Sequence, residues 1–96
     1  MHRGNLIGIM EGHLQRTLGA NARAIRLARG YSQEHFAELL GFHRTYWGTL
    51  ERGQRNLTLQ AVERLADALG VDALVLLSED MRVDVDVRIR ADRDRK

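Results

Sequence analysis

Glycine does the punctuating in this chain, because proline is absent. Gly30, Gly41, Gly53 and Gly70 each follow an amphipathic run, where the residue just past a helix end is expected. The stretches between them leave room only for a set of short helices. Across residues 14–28, Leu14, Leu18, Ala22, Ile25 and Ala28 recur at three- and four-residue steps and make one apolar face. Ser32 is a good N-cap for a second helix, with Phe36, Ala37 and Leu40 facing in. A third helix is expected over residues 44–52, with Trp47 and Leu50 inward. Thr58 caps a fourth, whose stripe is Leu59, Val62, Leu65, Ala66 and Leu69, and residues 73–77 make a fifth helix or half-helix.

The second and third runs have a particular spacing. A capped helix of about eight residues ends at Gly41, a turn of three or four residues follows, and a second helix runs to the residue before Gly53. That is the size of a helix-turn-helix. Gly41 supplies the positive φ of a tight turn. Ala37 is small enough for the second helix to cross closely.

The pattern changes after Ser78. Val83, Val85, Val87 and Ile89 alternate with Asp84, Asp86, Arg88 and Arg90, a period of two that predicts a strand over 83–90. A helical domain offers such a strand no partner, but a second copy does. In an antiparallel pair centred on Val87, Asp86 faces Arg88 and Asp84 faces Arg90. Each such pair is worth about 0.2–1 kcal/mol. The alternative is a solvated charged tail, since six acids and six bases fill residues 78–96. The expected dimer strand comprises Asp84, Val85, Asp86, Val87, Arg88, Ile89 and Arg90.

With 96 residues the chain forms one domain with a modest core. It has no cysteine, so disulfides, thiolate metal sites and cysteine nucleophiles are excluded. No apolar run approaches the ~18 residues of a membrane span, and Leu6-Ile7-Gly8-Ile9-Met10 is too short for a signal core. The expected compartment is the cytoplasm. His2, His13, His35 and His43 do not form a ligand set, and no paired carboxylates or phosphate-cradling glycine loop appear. No enzyme activity, metal or cofactor is expected.

The charge points elsewhere. Net charge is +2, but fourteen of the fifteen basic residues are arginine, which forks two donors onto a phosphate or a guanine edge. Residues 1–31 carry five arginines against Glu11 alone. A basic front end suits a polyanionic partner; the alternative is an ordinary solvated helix face.

Several marks stand in order: Leu18-Gly19, Ser32-Gln33-Glu34, Ala37, Gly41, Arg44-Thr45-Tyr46, Leu50-Glu51-Arg52-Gly53, Arg55-Asn56 and Ala68-Leu69-Gly70-Val71. On these, residues 18–77 resemble the Cro/lambda-repressor-like helix-turn-helix family, also called the xenobiotic-response-element family. Arg44-Thr45-Tyr46 and residues 52–59 look most like the controller proteins of restriction–modification systems. The resemblance implies an all-α fold, a five-helix lambda-repressor-like domain, here with the C-terminal strand extension added. The expected organisation is an arm over 1–12, the helix-turn-helix domain over 13–77 and a charged extension over 78–96.

It also implies that the third helix enters the major groove of double-stranded DNA. His43, Arg44, Thr45, Gly48 and Thr49 would then be the exposed base-contacting candidates, with Arg44 on guanine O6 and N7. Gln33, Tyr46, Arg52, Arg55 and Asn56 would contact phosphate, and Arg26 and Glu51 would form a structural pair. His43 stands where Ser or Thr is usual and is expected to give up capping, either for a DNA contact or through tolerance. Gly48 either lets DNA approach or makes room for Trp47, itself expected to pack inward. The implied function is a transcriptional regulator that binds an inverted repeat as a homodimer. The alternative is an antitoxin-like interaction module that binds a small protein such as a toxin, with DNA binding secondary.

Overall fold

A computed structural model describes residues 11–81. The described residues form five helices: α1 (His13–Ala28), α2 (Gln33–Leu40), α3 (Arg44–Glu51), α4 (Leu59–Leu69) and α5 (Ala73–Leu76). The described residues are all-helical. The expected strand over 83–90, the arm before residue 11 and most of the charged extension lie outside them.

Side-chain caps and a glycine mark several of the helix ends. The Ser32 hydroxyl accepts from the backbone N–H of His35, and the Thr58 hydroxyl from that of Ala61. Asp72 caps α5 by accepting from the Leu74 N–H. Gly41 closes α2 with φ of 85°, a conformation that costs a side-chain-bearing residue strain. The backbone N–H of Phe42 returns to the Ala37 carbonyl at 2.8 Å, which completes the turn into α3.

The core gathers one face of every helix. Ile25, Phe36, Trp47, Leu50, Leu65, Leu69 and Leu76 are fully buried, with Leu18, Ala22, Ala37, Val62 and Ala66 around them. Phe36 meets Trp47 edge-to-face at 5.4 Å between ring centroids, and Phe42 stacks on Trp47 at 5.8 Å. Such pairs add about 0.5–1.5 kcal/mol beyond their buried area.

Two leucines depart from the face their spacing predicts. Leu14 and Leu59, expected inside, are 55% and 78% exposed. Each lies in the first turn of its helix. Together with Leu18, Leu50, Leu57 and Val62 they edge an apolar groove between α1 and α4.

The tightest approach is between α1 and α3. A Cβ on Gly19 would lie 2.4 Å from the Leu50 carbonyl oxygen and 2.8 Å from that of Glu51. Only glycine lets the two backbones come this close. Asn21, buried on α1, donates from Nδ2 to the Leu76 and Ser78 carbonyls at 2.7 and 2.8 Å, so the end of α5 is tied to the same helix. His13 and Glu79 pair nearby.

Candidate nucleic-acid interface

α3 is held from behind by a buried carboxylate. Glu51, at its last turn, accepts from Arg26 Nε at 2.6 Å and Arg26 Nη2 at 3.1 Å, the two-pronged contact of a guanidinium with a carboxylate. It also accepts from Gln33 Nε2 at 2.9 Å and from Trp47 Nε1 at 2.5 Å. The third arginine donor, Nη1, goes to the Tyr31 carbonyl at 2.8 Å. One carboxylate thus joins α1, the first residue of α2 and the preceding turn of α3. Burial pushes its pKa up; the hydrogen bonds from Arg26, Gln33 and Trp47, with the Arg26 charge, outweigh that and hold it below the ordinary value.

Trp47 is fully buried and packs, as its spacing with Leu50 predicts. Its ring N–H reaches Glu51 one turn on, a buried polar contact that the i, i+4 spacing could have signalled.

The opposite face of α3 is open. His43, Arg44 and Thr45 are exposed at its start, and Arg52, Arg55 and Asn56 are exposed just beyond its end. Three features of this face differ from the sequence expectation. First, His43 does cap: its Nδ1 accepts from the Thr45 backbone N–H at 3.1 Å. The imidazole nitrogen takes the place of a hydroxyl, and with Nδ1 accepting, the ring proton sits on Nε2. Second, Gly48 is buried rather than exposed. Its missing side chain faces Arg52 and Gln33, where a Cβ would stand 3.4 and 3.6 Å from their nearest atoms. Third, Thr49 is half-buried, and its hydroxyl donates to the Tyr46 carbonyl at 2.8 Å while accepting from Arg55 Nε at 2.8 Å. Only its methyl remains without a polar partner.

The flanks are built from stacked groups. Phe42 stacks on Tyr46 at 5.5 Å, and the Arg55 guanidinium lies 4.7 Å from the Tyr46 ring centroid. With its bond to Thr49, this stacking fixes Arg55 in the loop after α3, where no proline stiffens the chain. Arg52 donates from Nε to Gln54 Oε1 at 3.2 Å. Arg44 donates from Nη1 to Glu34 Oε2 at 2.9 Å. Gln33, Glu34, Arg44, Thr45, Gly48 and Arg52 line one open polar concavity between the start of α2 and the outer face of α3. The concavity brings together Gln33, Arg44, Thr45, Gly48 and Arg52; His43 lines an adjoining hollow, Tyr46, Thr49 and Arg55 form a separate cluster, and Asn56 is exposed in the loop after α3. This face can offer several guanidinium donors and a hydroxyl to a polyanion laid along α3.

No described helix is long and apolar enough to cross a membrane.

A family model described as a helix-turn-helix domain matches residues 17–77. A protein described as a Neisseria hypothetical transcription factor, from Neisseria meningitidis, is 42% identical over 70% of this chain, a match that spans 63% of that protein. The crystal structure of a hypothetical transcription factor NHTF from Neisseria is 42% identical, with a TM-score of 0.60 over 68% of this chain and 75% of its own. Control protein C.SmaI of Serratia marcescens is 42% identical over 68% of this chain and 77% of its own length. The crystal structure of the restriction-modification controller protein C.AhdI from Aeromonas hydrophila is 41% identical, with a TM-score of 0.55 over 67% of this chain and 96% of its own.

Proposed function

The chain belongs to the helix-turn-helix domain family, and on that premise we propose that it is a sequence-specific DNA-binding transcriptional regulator, acting as a homodimer on an inverted repeat. The observation that carries this reading is the outer face of α3: Arg44 and Thr45 stand exposed on a helix whose other side is buried and hydrogen-bonded to α1 and α2. A helix held this way can enter the major groove as a rigid probe. Arg44 forks onto guanine O6 and N7, and Thr45 and the Thr49 methyl meet thymine methyls. His43 offers its Nε2–H, and Gly48 allows close approach of the duplex. Gln33, Tyr46, Arg52, Arg55 and Asn56 bind phosphate and set the register without reading sequence.

One such helix spans too few base pairs for useful specificity. A two-fold pair doubles the site, with half-sites about 34 Å apart. Exposed Leu14, Leu59 and Leu74 offer apolar area for pairing, and the alternating sequence over 83–90, expected from its pattern to be a strand, offers a second route. In this reading residues 1–12 are an arm, 13–77 the DNA-binding domain and 78–96 the extension.

A mobility-shift series tests it. The full chain should retard one duplex from a randomised pool in preference to its scrambled version. Arg44→Ala should relax discrimination at one base position at a cost of about 1–3 kcal/mol, whereas Arg52→Ala should weaken all duplexes alike. Equal losses of both variants on preferred and scrambled duplexes would refute the assignment. Light scattering of the full chain and of a chain ending at Asp80 tests the dimer: a monomer in both would sink the two-fold site.

A further inference from the structure

Arg44 holds an unusual position for a cation. It is the first residue of α3, where the helix dipole disfavours positive charge. Its stabilising contact is Glu34, whose Oε2 takes Arg44 Nη1 at 2.9 Å. Glu34 stands in the first turn of α2, where the same dipole favours an anion. Both side chains are about two-thirds exposed, 67% and 70%, and a pair so open to water adds little to stability.

What the pair does is sort the arginine's donors. A guanidinium has two edges that grip two acceptors at once, a side edge of Nε–H and one Nη2–H and an end edge of Nη1–H and Nη2–H, so an acceptor on Nη1 favours use of the side edge. Arg26 shows this division within the same molecule: Nε and Nη2 take the two oxygens of Glu51, and Nη1 takes a third acceptor, the Tyr31 carbonyl. Arg44 repeats half of that pattern. Its Nη1 is taken by Glu34, and among the described residues nothing takes its Nε and Nη2 edge. Acceptors around the pair do not take that edge: His43 Nδ1 is committed to its cap, Gln54 Oε1 accepts from Arg52, and Glu38 lines the neighbouring hollow without a bond to Arg44.

We infer that Glu34 is a specificity-determining positioning residue: by holding Nη1 it presents the Nε/Nη2 edge of Arg44 to the O6 and N7 of a guanine, and its charge repels phosphates that would otherwise capture the arginine. The inference rests on the reading of α3 as the base-reading helix. Glu34 then contributes to discrimination without touching the base that Arg44 reads.

The test uses the full 96-residue chain. A duplex pool with randomised bases is selected first, and fluorescence anisotropy is then measured on the preferred duplex, its single-base-pair variants and a scrambled duplex. The wild type should prefer guanine at one position by about 5- to 150-fold. Glu34→Gln should lose most of that preference while binding the scrambled duplex more tightly. Glu34→Asp keeps the charge but shortens the reach. It should bind the scrambled duplex as the wild type does, yet lose the guanine preference. Adding Glu34→Gln to Arg44→Ala should change discrimination no further. Equal urea midpoints for the Glu34 variants and the wild type would show that the fold is intact. If Glu34→Gln keeps the full preference that Arg44→Ala abolishes, the inference is overturned and the role of Arg44 stands. Full preference in Glu34→Asp would reduce Glu34 to a bare charge and overturn its positioning role. If Arg44→Ala keeps every base preference, the role of Arg44 fails and this inference with it. If the pool yields no preferred duplex, the proposed function itself fails.

Discussion

Replacing Glu51 by alanine should be among the most damaging single changes to this fold. The carboxylate accepts four hydrogen bonds, two of them from Arg26, whose side chain is 8% exposed. Alanine removes all four and leaves a guanidinium in the interior with only the Tyr31 carbonyl as partner. Breaking a buried pair from one side costs about 3–5 kcal/mol, mostly because the remaining charge is uncompensated. Small domains have about 5–15 kcal/mol of stability in all, so the variant should sit near the edge of folding. Urea unfolding followed by the fluorescence of Trp47, the only tryptophan, reads the loss directly. Thermal midpoints should fall by about 4–8 °C for each kcal/mol. A double variant, Arg26→Met with Glu51→Met, removes the stranded charge along with its partner. It should recover much of the loss, because apolar replacement of a whole buried pair is often near neutral. A loss in Glu51→Ala no larger than that of the exposed control Glu63→Ala would refute the reasoning. So would a double variant as unstable as the sum of the two single ones.

Two glycines inside helices should respond in opposite directions. Gly19→Ala drives a methyl to 2.4 Å from the Leu50 carbonyl and should cost about 1–3 kcal/mol or more, whereas Gly48→Ala finds ordinary contact distances and should gain up to about 1 kcal/mol in urea melts. On the proposed function, Gly48→Ala should also bind DNA more weakly despite its greater stability, which anisotropy would detect. The folded-state pKa of Glu51 is depressed, so its contribution is complete above the unfolded value of 4.5 and is lost as the pH falls from there through the lower folded value. Urea midpoints should therefore decline below pH 4.5, and Glu51→Gln should flatten that part of the profile. Asn21→Leu takes the side-chain donor from the Leu76 and Ser78 carbonyls, leaving Ser78 only the longer bond from the Met81 N–H, and should lower stability by about 1–3 kcal/mol, with the largest loss of hydrogen-exchange protection at α5.

The helices were readable from the chain because their ends carry chemical signatures. Ser32 and Thr58 cap, and Gly41 and Gly70 adopt the left-handed conformation that a helix terminus favours. The family and the likeness to controller proteins were readable from motifs spread across the matched region. Leu14 and Leu59 went astray because periodicity tells which side of a helix is apolar but not how far the helix extends past its neighbours. His43 was misjudged because capping needs an acceptor at the right reach, and an imidazole nitrogen meets that need as well as a hydroxyl. Gly19 gave no warning of its role in the α1–α3 crossing, since a glycine inside a helix looks the same whether a backbone presses on it or not. The bonds of Thr49 and Arg55 depend on how the loop after α3 folds back, which no local pattern encodes.

The anchoring of α3 is confined to its inner side and its last turn, through Trp47, Leu50 and Glu51. Arg44 and Thr45 make no contact with the core, and exposed substitutions of that kind usually shift stability by less than about 0.5 kcal/mol. Descendants of this chain can exchange those two residues and remain folded at every step. A lineage can thus drift from one recognition sequence to another without a compensating repair elsewhere, and a bench library varied at the same two positions, with proline left out at 45 because the backbone N–H there donates to the His43 cap, would return mostly folded members.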